Sequence, residues 1–280
     1  DFLSFGIVAQ NGTSIDINDS IVLSGVVDPD KNNHTELASI ALNLSGGSLF
    51  AFNNVHFMAM DAIAQSSAIF AEAAGTVVEL WQSTLIAGSA QDSIGFHAAN
   101  IGDFVMYNSV ILADDSTGGG TSTGVYLENI PAGGTPVRLS GNTIGVRRGD
   151  PGDTYGIQLV NTTDVEVHNN LVWSANAVDM VGLDSNAGPV DRVRHNNFWD
   201  DDDDVVLNLD GSGDQPIAYW QDFYPTATTR GNIRRPLSID TTFSLSSGDF
   251  DVGRITGSRP DDVVYGGEDL TGLGSGAPYP

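Results

Sequence analysis

Asp164-Val-Glu-Val-His-Asn-Asn-Leu-Val-Trp173 is answered 27 residues later by Asp191-Arg-Val-Arg-His-Asn-Asn-Phe-Trp-Asp200. Each stretch is a short run of alternating apolar residues closed by His-Asn-Asn and reopened by bulky apolar side chains. A motif recurring at an interval of 20–50 residues is the signature of a stacked repeat architecture. Working upstream from Asn170 and Asn197, the same punctuation returns in Val137-Arg-Leu-Ser-Gly-Asn142, Phe104-Val-Met-Tyr-Asn-Ser109, Val78-Glu-Leu-Trp-Gln-Ser83 and Leu49-Phe-Ala-Phe-Asn-Asn54. The anchors Asn54, Ser83, Ser109, Asn142, Asn170 and Asn197 are separated by 29, 26, 33, 28 and 27 residues, which fits one unit with loops of changing length.

Between anchors lie further short runs: 68–71, 94–98, 124–127, 156–159, 177–180 and 205–209. Apolar runs of this length bounded by Gly, Asn, Asp and Ser read as strands. No stretch keeps a helical period over three turns, and the Ala-rich piece 58–74 is expected to be strand and turn. A unit of about 28 residues cannot bury its own apolar face. Stacked coil on coil, each strand pairs with its equivalent about 4.8 Å away and the inward residues merge into one core. The anchor Asn is expected to take a left-handed backbone at a sharp corner and to bond its equivalents above and below.

The segments Val-His-Asn169-Asn170-Leu-Val, Gly-Asn142-Thr-Ile and Tyr155-Gly-Ile-Gln-Leu159 resemble the right-handed parallel β-helix proteins of the pectate-lyase-like group. Downstream, Gly231-Asn-Ile-Arg-Arg-Pro-Leu-Ser-Ile-Asp240 and Ser247-Gly-Asp-Phe-Asp251 are similar to the segment that closes many secreted β-helices, with Arg235 where that segment usually has Asp. The resemblance implies an all-β chain folded as a right-handed parallel β-helix solenoid. One domain is expected over 1–280, with an N-terminal cap or first coil in 1–45, repeated coils in 46–209 and a loop-rich C-terminal cap and tail in 210–280.

Thirty-six acidic residues face eleven basic ones, giving a net charge of −25, and Lys31 is the only lysine. Such a surface argues against nucleic acid and against anionic membranes, since phosphate contacts need basic patches. The acidity points to an environment rich in screening salt or divalent cations. There is no cysteine, so neither disulfide nor thiol chemistry is available. No run approaches the roughly 20 apolar residues of a membrane span, so membrane insertion is not expected. No signal peptide is visible from Asp1 onward, as in a mature or excised chain. Sequons begin at Asn11, Asn18, Asn33, Asn43 and Asn161 and suit an extracellular or cell-surface location.

Candidate chemistry gathers near the repeat that decides the fold. The acidic run 200–204 offers Asp200, Asp202 and Asp204 as oxygen ligands for Ca²⁺, with Asp114-Asp115 and Asp261-Asp262 as weaker candidates. His168 and His195 share a motif position and are expected to stack on adjacent coils. Arg192 and Arg194 alternate on one strand and so face one side of the stack. The β-helix lyases that this chain resembles use an Arg or Lys as base beside Ca²⁺-binding acids. No lyase motif of that family is present to carry its roles onto particular residues; if the chain is an enzyme, Arg192, Arg194, His168 and His195 are the catalytic candidates. Trp81, Tyr107, Tyr126, Trp173 and Trp199 are candidate sugar-stacking platforms.

The functional expectation is an extracellular, non-catalytic β-helix whose flank binds glycans or other copies of itself, in adhesion or assembly. The alternative is a carbohydrate-active enzyme, lyase or glycoside hydrolase, working on a flank groove between Arg138 and Asp204. A tailspike-type fragment shares the fold and would require a trimer.

Overall fold

Strands of three to ten residues, each ended by a left-handed corner or a polar turn, build the molecule in triplets. In the computed structural model the described residues are 2–24, 36–131, 136–148, 153–175, 179–186, 190, 192–200, 205–223, 232 and 234. The first coil is β1 (Phe2–Gln10), β2 (Ser14–Asn18) and β3 (Ile21–Ser24). The second is β4 (Glu36–Ser45), β5 (Ser48–Phe52) and β6 (His56–Ala59), and the third β7 (Gln65–Glu72), β8 (Val77–Trp81) and β9 (Thr84–Ala87). Next come β10 (Asp92–Ala99), β11 (Asp103–Tyr107) and β12 (Val110–Ala113), then β13 (Ser122–Glu128), β14 (Val137–Ser140) and β15 (Thr143–Arg147). The last full coils are β16 (Thr154–Val160), β17 (Val165–His168), β18 (Leu171–Ala175), and β19 (Met180–Ser185), β20 (Arg192–Arg194), β21 (Asn197–Asp200). β22 (Val206–Asn208), an antiparallel β23 (Gln215–Pro216) and helix α1 (Ile217–Phe223), the one helix among the described residues, follow.

Every third strand pairs in parallel with its equivalent, so the chain forms three sheets running along one axis. Sheet A has nine strands, starting at β1; sheets B and C have seven each, starting at β2 and β3. The protein is therefore a parallel β-solenoid. Stretch 1–45 holds a complete first coil and the first strand of the second. The strand expected at 177–180 starts at Met180 instead and runs to Ser185, while 176–178 lie outside the described residues.

Inward rows from all three sheets fill the core. One row in sheet A runs Leu42, Ile69, Phe96, Val125, Ile157, Leu183, Leu207, each the register partner of the next and all fully buried. Sheet B contributes Leu80, Met106, Leu139, Val167 and Val193, and sheet C contributes Phe57, Leu85, Ile111, Ile144, Val172 and Phe198. Burying each such side chain stabilises the stack by about 1.5–3 kcal/mol. Where sheets A and C converge there is no room beside the sheet C row. Gly95, Gly124, Gly156 and Gly182 therefore occupy successive coils of sheet A, and a Cβ on any of them would collide with Ile111, Ile144, Val172 or Phe198.

The corner between sheets B and C carries a buried polar ladder. The backbone N–H of Ser83 donates to Ser109 Oγ (3.2 Å), Ser109 N–H to Asn142 Oδ1 (3.0 Å), and Asn142 N–H to Asn170 Oδ1 (2.9 Å). Asn170 N–H donates to Asn196 Oδ1 (2.9 Å), and Asn196 N–H to Asn232 Oδ1 (3.0 Å). Three anchor assignments need correction. Asn196, not Asn197, is the rung on the last coil, because Leu171 pairs with Asn197 and the coil advances 26 residues rather than 27. Asn54 is exposed, and an extra residue, Val55, takes the buried place on that coil. The left-handed backbone belongs to the residue before each rung: Gln82, Asn108, Gly141, Asn169 and His195 have φ between 49° and 69°. The rung Asn is kept by its hydrogen bonds, and its predecessor by the corner.

At the C-terminal end α1 sets Ile217 and Trp220 against the core, and Trp220 Nε1 donates to the Leu207 carbonyl (2.8 Å). Asn232, inside the closing segment noted in the sequence, continues the ladder and donates to the Val193 carbonyl (2.8 Å). Apart from Arg234, the remainder of that segment, Arg235 included, lies outside the described residues.

Candidate functional site

The outer face of sheet B gathers three of the four catalytic candidates, His168, Arg192 and Arg194, and two of the five aromatic ones, Trp81 and Tyr107. Alternation along each strand turns every second side chain outward, and parallel register then lines these up from coil to coil. One row begins with aromatic rings: Phe52 lies 6.4 Å from Trp81, and Trp81 lies 4.3 Å from Tyr107, centroid to centroid. It continues through Ser140, His168 and Arg194. The neighbouring row runs Phe50, Glu79, Val105, Arg138, Glu166, Arg192. An aromatic half thus passes directly into a charged half.

Glu166 is the hub of the charged half. Its carboxylate accepts from Arg138 Nε on the preceding coil (3.1 Å) and pairs with Arg192 Nη1 on the following coil (2.8 Å). His168 Nε2 lies 3.7 Å from the same carboxylate. Arg138 also donates to Tyr107, and this bond, with Glu166, holds its guanidinium more firmly charged than usual. Burial is the main reason that the His168 imidazole ionises at lower pH than usual; Glu166 opposes the shift and Arg194 and Arg192 reinforce it. Arg194 makes no ion pair among the described residues, and its Nε is a buried donor that finds no acceptor there. Three of the chain's eleven basic side chains therefore meet on this patch with Glu166 between them, an excess of positive charge on a molecule of net charge −25.

The expected pairing of His168 with His195 is not what forms. His168 is the register partner of Arg194, while His195 is buried in the left-handed corner position that Asn169 fills one coil earlier. Arg192 and Arg194 do share the outer side of β20. Asp200 ends β21 fully buried, opposite Ser174, and is not part of an exposed turn; Asp202 and Asp204 lie outside the described residues. Asp114 is buried and bound to Arg147 (3.0 Å), with its carboxyl pushed up by that burial. Among the described residues no group of three or more His, Asp or Glu is arranged to hold a metal ion. Of the sequons, Asn11 and Asn18 are exposed, Asn43 is half-buried and Asn33 lies outside the described residues. Asn161 is exposed but its amide is engaged, donating to Asn129 Oδ1 (3.1 Å).

Tyr126 stands on a different face, the outer side of sheet A, in a row that the sequence reading did not find. Phe70, His97, Tyr126, Gln158, Asp184 and Asn208 are successive register partners. The His97 ring is clasped edge-to-face by Phe70 (4.6 Å) and Tyr126 (4.8 Å), and burial lowers its pKa to about 4. Farther along, Asp184 accepts from Asn208 Nδ2 (2.9 Å), and the Tyr155 hydroxyl donates to Asp153 (2.9 Å). Burial, then the charges of Asp184 and Asp153, raise the pKa of Asp214. Trp173 and Trp199 are partners on the outer side of sheet C, where the Arg234 guanidinium stands 5.9 Å over the Trp199 ring.

No protein-family model, curated protein or solved structure matches the chain.

Proposed function

We propose that the chain is a non-catalytic, extracellular glycan-binding β-helix of the pectate-lyase-like type, and that its binding track is the outer face of sheet B. The observation carrying this reading is the run of Trp81 and Tyr107 rings into the Arg138–Glu166–Arg192 cluster along one axis. Aromatic faces take the apolar faces of sugar rings, and guanidinium groups take carboxylates or sulfates in bidentate fashion. The repeat of about 4.8 Å per coil lets one extended, acidic saccharide chain cross several coils. The test is calorimetric titration with uronate-containing, sulfated and neutral oligosaccharides. Binding of acidic chains that is lost in Trp81→Ala and weakened in Arg192→Ala supports the reading; equal binding of neutral chains, or no binding, defeats it.

The enzymatic alternative, a lyase or glycoside hydrolase, is favoured by one observation on sheet A. Burial first, and the charges of Asp184 and Asp153 after it, push the Asp214 carboxyl toward its protonated form, the form a general acid needs. Release of reducing or unsaturated ends, abolished in Asp214→Asn, would favour that reading over simple binding.

A further inference from the structure

Two groups address the same oxygen of Glu166. Arg138 Nε bonds Oε2 (3.1 Å) and His168 Nε2 faces that oxygen from 3.7 Å, while Arg192 Nη1 holds Oε1 (2.8 Å). At 3.7 Å the imidazole makes no hydrogen bond, and it becomes an ion-pair partner only on gaining a proton. The side chains of Glu166 and His168 are sheltered, 12% and 25% exposed, whereas those of Arg138 and Arg192 are 43% and 53% exposed. The group that titrates therefore lies beneath the guanidinium groups that a ligand meets first. Arg138 is also the link to the aromatic half, because it bonds Tyr107, whose ring centroid lies 4.3 Å from that of Trp81.

The charges facing His168 come from its own strand and from both neighbours. β17 brings Glu166, β14 brings Arg138, and β20 brings Arg192 and Arg194, with His195 at the corner that follows. Glu166 is the one acid on these three strands, so positive charge is in excess before His168 titrates. A bound anion relieves the repulsion between the arginines and an imidazolium. By linkage the proton then strengthens the hold on the anion by the same factor.

We infer that His168 makes the sheet B track a proton-gated anion site: once protonated it takes Oε2 of Glu166, releases the Arg138 guanidinium toward the ligand, and tightens the hold on a carboxylate or sulfate group. The inference rests on the glycan reading only for the saccharide that carries this group. Above the His168 midpoint, which burial chiefly sets below 6.5, Glu166 keeps both arginines engaged. Below it, a free guanidinium stands beside the Trp81 and Tyr107 rings. Acidic saccharides therefore bind more tightly as pH falls.

The experiment follows the histidine ring signals of the full 280-residue chain by NMR as pH is varied. Sodium sulfate is compared with sodium chloride at equal ionic strength, and His168→Gln identifies the signal. Affinity for a sulfated oligosaccharide, whose own charge is fixed, is measured at about pH 5 and about pH 7.5. The expected result is a His168 midpoint raised in sulfate by about half a pH unit or more, while His97 on sheet A stays where it is. The oligosaccharide binds at least threefold more tightly at the lower pH, and this ratio falls to one in His168→Gln. Thermal melting checks that the variant is folded. A His168 midpoint that sulfate leaves unchanged, or that moves only together with His97, overturns the inference and leaves the glycan track standing. Equal affinity of the parent chain at the two pH values overturns it as well. A His168 that answers sulfate in a chain that binds no oligosaccharide sustains the anion site and defeats the glycan reading instead.

Discussion

Asn170 and Asn196, on consecutive coils, are joined twice through one atom: Asn196 Oδ1 accepts both the backbone N–H of Asn170 (2.9 Å) and its side-chain Nδ2 (3.0 Å). The second Nδ2 proton of Asn170 goes to the carbonyl of Leu139, two coils' pairing away from Asn196 (2.8 Å). Asn142 and Asn196 repeat the arrangement with their own neighbours. Each amide therefore spans three successive coils, and buried backbone groups that the corner takes out of the sheets find partners in it.

Replacing Asn170 by Leu removes the acceptor for Asn142 N–H and the donor for Leu139 at once, in a fully buried place. The expected loss is about 2–4 kcal/mol. Ser109→Ala removes the acceptor of Ser83 N–H and a donor to the Tyr107 carbonyl, which keeps the Gln82 N–H, and should cost about 1 kcal/mol. Urea unfolding of both variants measures the contrast; equal midpoints would deny the Asn rungs their separate weight.

Gly124 sits where sheet A presses on sheet C. A Cβ there would run into Ile144 and lie 2.7 Å from the Gly156 carbonyl oxygen. Gly124→Ala is thus an overpacking change, expected to cost about 1–3 kcal/mol although Ala is the better residue in an open strand. A melting temperature equal to that of the parent chain would mean that the two sheets can separate without loss.

The repeat was legible because every rung from Ser83 to Asn170 follows a strand of the same apolar alternation. The last coil was misread by one residue because His-Asn-Asn recurs as a string while its parts change places: His168 ends a strand, whereas His195 turns the corner. The charged half of the sheet B face could be partly foreseen, since Arg192 and Arg194 alternate on one strand. Glu166 was passed over because its two arginines stand on other coils. The sheet A face was hidden for the same reason, each member lying alone in sequence. One signal was present nonetheless: the outward residue stands two places after each strand glycine, as in Gly95 and His97, Gly124 and Tyr126, Gly156 and Gln158, Gly182 and Asp184.

His97 gives a pH-dependent signature. Its pKa falls from 6.5 to about 4 on folding, chiefly through burial, with Asp92 opposing the shift. Between those values the unfolded chain binds the proton and the folded one does not, so stability rises with pH across the window. The contribution is complete above 6.5 and is lost as pH falls toward 4, by roughly 2–3 kcal/mol. His97→Phe removes this component. The difference in unfolding free energy between the parent and His97→Phe should therefore change across that window and be flat above it. A constant difference from pH 4 to pH 7 would show that the imidazole titrates alike in both states.

Glu166 separates an anion-binding face from a catalytic one. Its carboxylate now occupies Arg138 and Arg192, the groups an acidic saccharide would engage. Both arginines are largely exposed at their tips, so Glu166→Gln should change stability by no more than about 1 kcal/mol. The same change leaves Arg138, Arg192 and Arg194 without a competing carboxylate. Affinity for an acidic oligosaccharide should then rise about three- to tenfold, with a steeper dependence on salt, because more positive charge faces the ligand. Titration of parent and variant at two salt concentrations reads both effects. Weaker binding in Glu166→Gln would mean that the carboxylate itself touches the ligand, and the arginines would then be its supports rather than the anion site.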